Sequence, residues 1–186
     1  DEAGKLKVSG FEMKHSSTPK AIRVLQKAML IQVGAGIGES DITSLISVGV
    51  KRIRNGDIPI GELSYSTRIN KHIESSPTSS HNPKKHYPVT SGGYARAARY
   101  YNWHMEPDKP FKRNDSVNWT YVSDVPDGKP HTDVVGYRDV SELEGFTFNT
   151  EVIIEKLVSK KLRMVYDVME WDLKRAIDKH QPKLYW

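Results

Sequence analysis

The chain of 186 residues is 37% hydrophobic and 27% charged, which is long and apolar enough to bury a core without help from metals or disulfides. It contains no cysteine, so disulfide scaffolds, cysteine-ligated zinc and thiol catalysis are excluded, and a reducing cytoplasm is compatible. The net charge is +5, no apolar run approaches the length of a membrane span, and the first residues carry neither an initiator methionine nor a signal pattern. The expectation is a chain that begins inside a longer parent sequence or follows processing.

Lys5 to Phe11, Lys-Leu-Lys-Val-Ser-Gly-Phe, alternates as a short strand does, and Asp1 to Gly4 reads as the turn of a hairpin whose first strand is missing. A helix is predicted from Lys20 to Val33, with Thr18 as its cap, Pro19 as its first residue and Ile22, Leu25, Met29 and Val33 in one apolar stripe. Gly34-Ala35-Gly36-Ile37-Gly38 breaks it. Ser40 or Asp41 then caps a second helix that points Ile42, Leu45, Ile46, Gly49, Val50 and Ile53 inward and ends at Asn55-Gly56-Asp57 and Pro59. After Leu63 the sequence turns polar and irregular, and the Ser/Pro-rich stretch 75–83 is expected to be a mobile loop. A short helix follows Gly92-Gly93 over Tyr94 to Tyr101. Strands are expected near Ser116 to Val122 and Thr132 to Tyr137, on either side of Pro126-Asp127-Gly128-Lys129-Pro130. The last element is a long helix over about 150–170, capped by Asn149, with Ile154, Leu157, Val158, Leu162, Val165 and Met169 inward. These elements make an α+β fold, mainly helical, with a few short strands.

Charge is unevenly spread. Ser64 to Arg113 holds nine Lys or Arg against three acids, a net of +6, whereas Glu151 to His180 holds seven against six. Such a basic middle suits either a polyanion-binding face or a solvated basic surface, and charge alone leaves both open. Lys14-His15-Ser16-Ser17-Thr18-Pro19, with Lys20, puts cations, hydroxyls and unpaired backbone N–H groups at a helix N-terminus. That is either an anion site or a plain capping turn. Arg96 and Arg99 stand three apart on a helix of small residues that could lie flat on a duplex, with the neighbouring tyrosines assigned to the core. Arg68, Lys71, Lys84 and Lys85 add to the same attraction.

Catalytic patterns are weaker. Gly34 to Ser40 has the glycines of a phosphate-cradling loop, but Glu39 stands where lysine is needed and a helix, not a strand, precedes it. His81, His86, His104 and His131 lack the spacing of a zinc pair, so no metal is expected in this chain. A metal-dependent nuclease built on Asp133 and nearby histidines, and a stand-alone nucleic-acid-binding module, are the competing classes.

Lys5 to Lys20, with Gly10-Phe11-Glu12 at its centre, resembles the opening of the thumb in family B DNA polymerases, the tailed-phage replicative enzymes more than the archaeal ones. Shorter stretches agree: Pro88 to Asn102, where the family has a helix on the duplex backbone, and Leu143-Glu144-Gly145-Phe146 with the closing helix through Trp171. The resemblance covers about half the chain in pieces. It implies that residues 1–13 end the palm and lead into the thumb, and that 14–186 form the thumb. It implies a thumb segment or small subunit of a DNA-directed DNA polymerase that grips primer–template duplex through its sugar–phosphate backbone, at work in the cytoplasm of a phage-infected bacterium or an archaeal cell. The family's Asp-Thr-Asp motif is absent, so this chain would be inactive alone, with two Mg ions expected in the palm of the complete polymerase. The other implied partners are that palm-and-fingers portion and, through Gln181, Leu184, Tyr185 and Trp186, a sliding clamp.

Overall fold

A computed structural model describes residues 18–73 and 92–178. The fold is α+β and mainly helical, and it divides into two units, Asp1–Ile58 with Glu151–Trp186, and Pro59–Thr150. The expected strand at 5–11, the hairpin turn before it and the loop at 75–83 lie outside the described residues.

In the first unit, α1 (Lys20–Gly34) and α2 (Glu39–Arg54) form an antiparallel pair against the closing helix. That helix runs as α5 (Thr150–Ile153), a π-helical stretch (Ile154–Ser159) and α6 (Lys160–Val168), with α7 (Leu173–Ile177) after it. The apolar stripes face one another as their spacing requires. Ile22 and Met29 of α1, Ile42, Ile46, Val50 and Ile53 of α2, and Ile154, Leu157, Val158, Leu162 and Val165 of the closing helix are all buried. Fully burying one such aliphatic side chain contributes about 2 kcal/mol. Met169, expected inward, lies beyond α6, where the helix has ended and nothing turns it to the core, and it is exposed.

The helix starts differ from expectation. Pro19, not Thr18, is the residue at the cap of α1; its carbonyl accepts from Arg23 N–H. Thr18 is one residue too far out, and its buried Oγ1 has no hydrogen-bond partner among the described residues. Helix α2 begins at Glu39 with Gly38 as cap, so Ser40 and Asp41 fall inside the first turn and cap nothing.

Three helix ends close alike. Ile37 N–H donates to Gln32 O, Asp57 N–H to Arg52 O and Trp171 N–H to Tyr166 O, each around a residue in the left-handed region. Those residues are Gly36 and Gly56, which adopt it without strain, and Glu170 at φ 57°, which does not. Arg54, at the end of α2, donates to both carboxylate oxygens of Glu151 at 2.9 and 3.2 Å and to Ile177 O at 2.7 Å.

The second unit opens with a single helical turn, α3 (Ile60–Leu63), and is built on an antiparallel sheet. The strand order is β1 (Tyr65–Arg68), β2 (Ser116–Asp124), β3 (Val134–Tyr137), with β4 (Thr147–Phe148) paired to the far end of β2. Strand β1 falls in the stretch expected to be irregular, because its four residues are Tyr-Ser-Thr-Arg and only Tyr65 and Thr67 turn inward. Tyr65 stacks on Trp119, its register partner, at 4.4 Å, and Trp119 Nε1–H donates to Thr67 Oγ1. Strand β3 starts two residues later than expected because Thr132 Oγ1 accepts from Val134 N–H and donates to Val134 O, folding the chain into a turn there.

Helix α4 (Gly93–Tyr100) and the π-helical turn after it (Tyr101–Met105) pack on this sheet. The approach is close enough that a Cβ on Gly136 of β3 would stand 2.9 Å from Ala97 O, and one on Gly93 would stand 2.5 Å from the Trp119 ring. Asn102 in the π turn is fully buried and grips the backbone of Phe111 at both ends: Phe111 N–H donates to Oδ1 at 2.6 Å and Nδ2 donates to Phe111 O at 3.1 Å.

Candidate nucleic-acid interface

The β1–β2 ladder continues past Arg68, which faces Ser116. Ile69 N–H donates to Asp115 O and Asn114 N–H donates to Ile69 O, each at 2.8 Å. This pairing holds the segment after β1 beside the turn before β2. The turn itself is tight: Asp115 N–H donates to Lys112 O, Lys112 N–H donates to Asp115 Oδ2, and Asn114 sits at φ 79°, a conformation asparagine tolerates better than most residues. Lys112 and Arg113 are thereby displayed on the turn, and Arg68 reaches back to Asn114 Oδ1 at 3.5 Å.

Two residues further along, Tyr94 in the first turn of α4 donates its hydroxyl to Asn70 Oδ1 at 2.8 Å, and Lys71 Nζ stands 5.9 Å from the centre of the Tyr94 ring. The positive end of α4, which has no acid in its first turn, is thus tied to the same segment. Arg68, Lys71, Lys112 and Arg113 are all exposed. The acid among them, Asp115, is turned to the backbone of its own turn and to Arg138 at 3.7 Å. This end of the sheet is a surface of cations held by backbone pairing, suited to several phosphates along one strand.

Of the residues singled out from sequence, Arg68 and Lys71 come together here. Lys112 and Arg113 belong with them and enter the sequence reading only through the basic total; the Asn-Asp turn signal beside them marks the place where cations are displayed. Thr18 and Lys20 lie in the helical unit, Thr18 buried and Lys20 exposed. Lys14, Ser16, Ser17, Lys84, Lys85, Gln181, Leu184, Tyr185 and Trp186 lie outside the described residues.

The arginine helix is arranged otherwise than expected. Ala95, Ala97 and Ala98 are buried against the protein's own sheet, so the small-residue face is not offered to a duplex. Arg96 has a side chain 13% exposed and donates to both oxygens of Asp133, at 2.6 and 3.3 Å. Arg99 lies over the Trp103 ring at 5.8 Å. Asp133 is thus engaged by a cation. Among the described residues, no three His, Asp or Glu side chains stand together in a metal-holding arrangement.

A hollow of about 200 Å³ in the same unit is of the opposite character. Glu106, Glu142 and Glu144 line it with Tyr101, Phe146 and one cation, Lys129, whose Nζ donates to His104 O at 2.7 Å. Tyr101 donates to Glu142 Oε1, and burial together with that carboxylate pushes its phenol up to about 12. Three carboxylates around one lysine repel phosphate, so a polyanion has no place there.

No protein-family model matches the chain, and no curated protein matches it. Among the described residues, no helix is long and apolar enough to cross a membrane.

Proposed function

We propose that this chain is a thumb segment or small subunit of a family B DNA-directed DNA polymerase and grips primer–template duplex through its sugar–phosphate backbone. The single observation that carries the gripping role is the group of exposed cations Arg68, Lys71, Lys112 and Arg113 on and beside the paired backbone at one end of the sheet. The polymerase assignment rests on the resemblance of Lys5 to Lys20, and the two are independent. Exposed cations on a braced edge contact phosphates without touching base edges, so they hold every sequence alike. Replication requires that indifference. Arg96, committed to Asp133, contributes to the fold of α4 in this reading more than to the grip.

Phosphoryl transfer would belong to the palm, whose aspartates would hold the two magnesium ions; this chain's own residues position the duplex. Primer extension tests the assignment. A family B palm-and-fingers fragment ending in a Lys-Lys-x-Tyr strand should extend a primer further per binding event when this chain is added. The Arg68→Glu/Arg113→Glu variant should not restore that gain. Equal extension with the variant would remove the sheet end from the grip, and no gain from the native chain would remove the polymerase assignment.

A further inference from the structure

Helix α1, Lys-Ala-Ile-Arg-Val-Leu-Gln-Lys-Ala-Met-Leu-Ile-Gln-Val-Gly, contains no acid. Its core side is occupied by Ile22, Gln26, Met29 and Leu30, all buried. The side opposite is more than a solvated polar face. Val24 and Ile31 are 63% and 54% exposed, and a spacing of seven residues puts them two turns apart on one stripe. Lys27 lies between them on that stripe and Arg23 borders it, both exposed. Cations interleaved with bare aliphatic side chains gain from burial only against a partner that brings apolar groups and negative charge together.

We infer that this face of α1 docks an acidic amphipathic helix of another protein, with apolar residues about two turns apart and Asp or Glu between them. Charge complementarity selects this occupant. A phosphate backbone satisfies Arg23 and Lys27 but leaves Val24 and Ile31 nothing to bury against. An anionic bilayer is held by broad faces with Trp, Phe or Leu, and the outward stripe of α1 has two aliphatic side chains and no aromatic. A second copy of α1 would oppose like charges. An acidic helix meets both demands, its apolar residues covering Val24 and Ile31 and its carboxylates facing Arg23 and Lys27. The inference goes beyond the duplex-gripping role and does not depend on it, because that role belongs to the sheet-bearing unit.

Fluorescence anisotropy on the full chain tests it. The probe is a labelled helical peptide of about 15 residues, long enough to hold helix, with leucines seven apart and glutamates between. Saturable binding is expected, weakened at least about tenfold by Val24→Asp/Ile31→Asp, since each aliphatic side chain taken out of the interface removes on the order of a tenfold factor. Lys27→Glu, which leaves the apolar residues in place, should also weaken it. Val48→Asp, at another exposed valine on α2, should not. Circular dichroism of each variant reports that the fold is kept. The inference is overturned by equal binding of a scrambled peptide of the same composition, by undiminished binding in Val24→Asp/Ile31→Asp, by displacement of the peptide with duplex DNA, by binding of phosphatidylserine vesicles in its place, or by no saturable binding.

Discussion

In the helical unit, α1, α2 and the closing helix meet mainly through aliphatic side chains, and where Gly49 of α2 enters that contact an added Cβ would meet only the flexible end of Leu25, at 3.2 Å. In the sheet unit, α4 comes down on β3 until backbone touches backbone, and glycine and alanine are placed where the two meet. The first kind of packing tolerates a change of shape, because neighbouring side chains shift to fill a small gap. The second kind does not, because a carbonyl in a helix cannot retreat without moving the helix. The same contrast governs charge. Arg96, on the tightly packed helix, is drawn into an ion pair with Asp133, whereas Lys112 and Arg113, on the turn before β2 of the same unit, remain exposed. Rigid packing beneath and cations at the margin are what a grip on a polyanion requires.

The contrast breaks most visibly at Gly136. Adding one methyl group there meets Ala97 O, and Gly136→Ala is expected to destabilise the sheet unit by about 3 kcal/mol in urea unfolding. An unchanged midpoint would show that α4 can lift. Asn102→Ala leaves the N–H and C=O of Phe111 without their partners, at an expected cost of about 2 kcal/mol, read by faster amide exchange at Phe111. In the helical unit, Ile46→Val removes one methylene group from a fully buried site and should cost about 1 kcal/mol. A larger loss there than at Gly136 would reverse the comparison. The smallest effect is a gain: Glu170→Gly relieves the left-handed conformation at the end of α6 and should raise stability by about 0.7 kcal/mol, seen as a higher melting temperature.

The helical unit is the more legible from sequence. Apolar residues at three- and four-residue spacing in α1, α2 and the closing helix are a local signal, and most of those positions are buried. Capping is the misleading signal: Thr18 has a capping side chain, but Pro19 takes the cap position and puts it out of reach. In the sheet unit, β2 and β3 show through their β-branched and aromatic residues, while β1 does not, since a strand of four polar-looking residues is defined by its partner. The candidate site follows the same pattern. Arg68 and Lys71 stand out by charge, but their joining to Lys112 and Arg113 depends on backbone pairing across more than 40 residues, which local patterns do not encode. Arg96 illustrates the converse, because its partner Asp133 is likewise distant in sequence and lies just before β3.

The central claim is that the end of the sheet grips duplex DNA through phosphates. Its most direct test is anisotropy of the full chain on labelled primer–template duplex across a salt series, beside Arg68→Glu/Lys112→Glu/Arg113→Glu. The account predicts binding that is indifferent to sequence and tighter on duplex than on single strands. It also predicts a salt slope that falls by about one unit for each phosphate the variant no longer engages. An unaltered slope and affinity in a folded variant would contradict it and place the grip elsewhere on the chain.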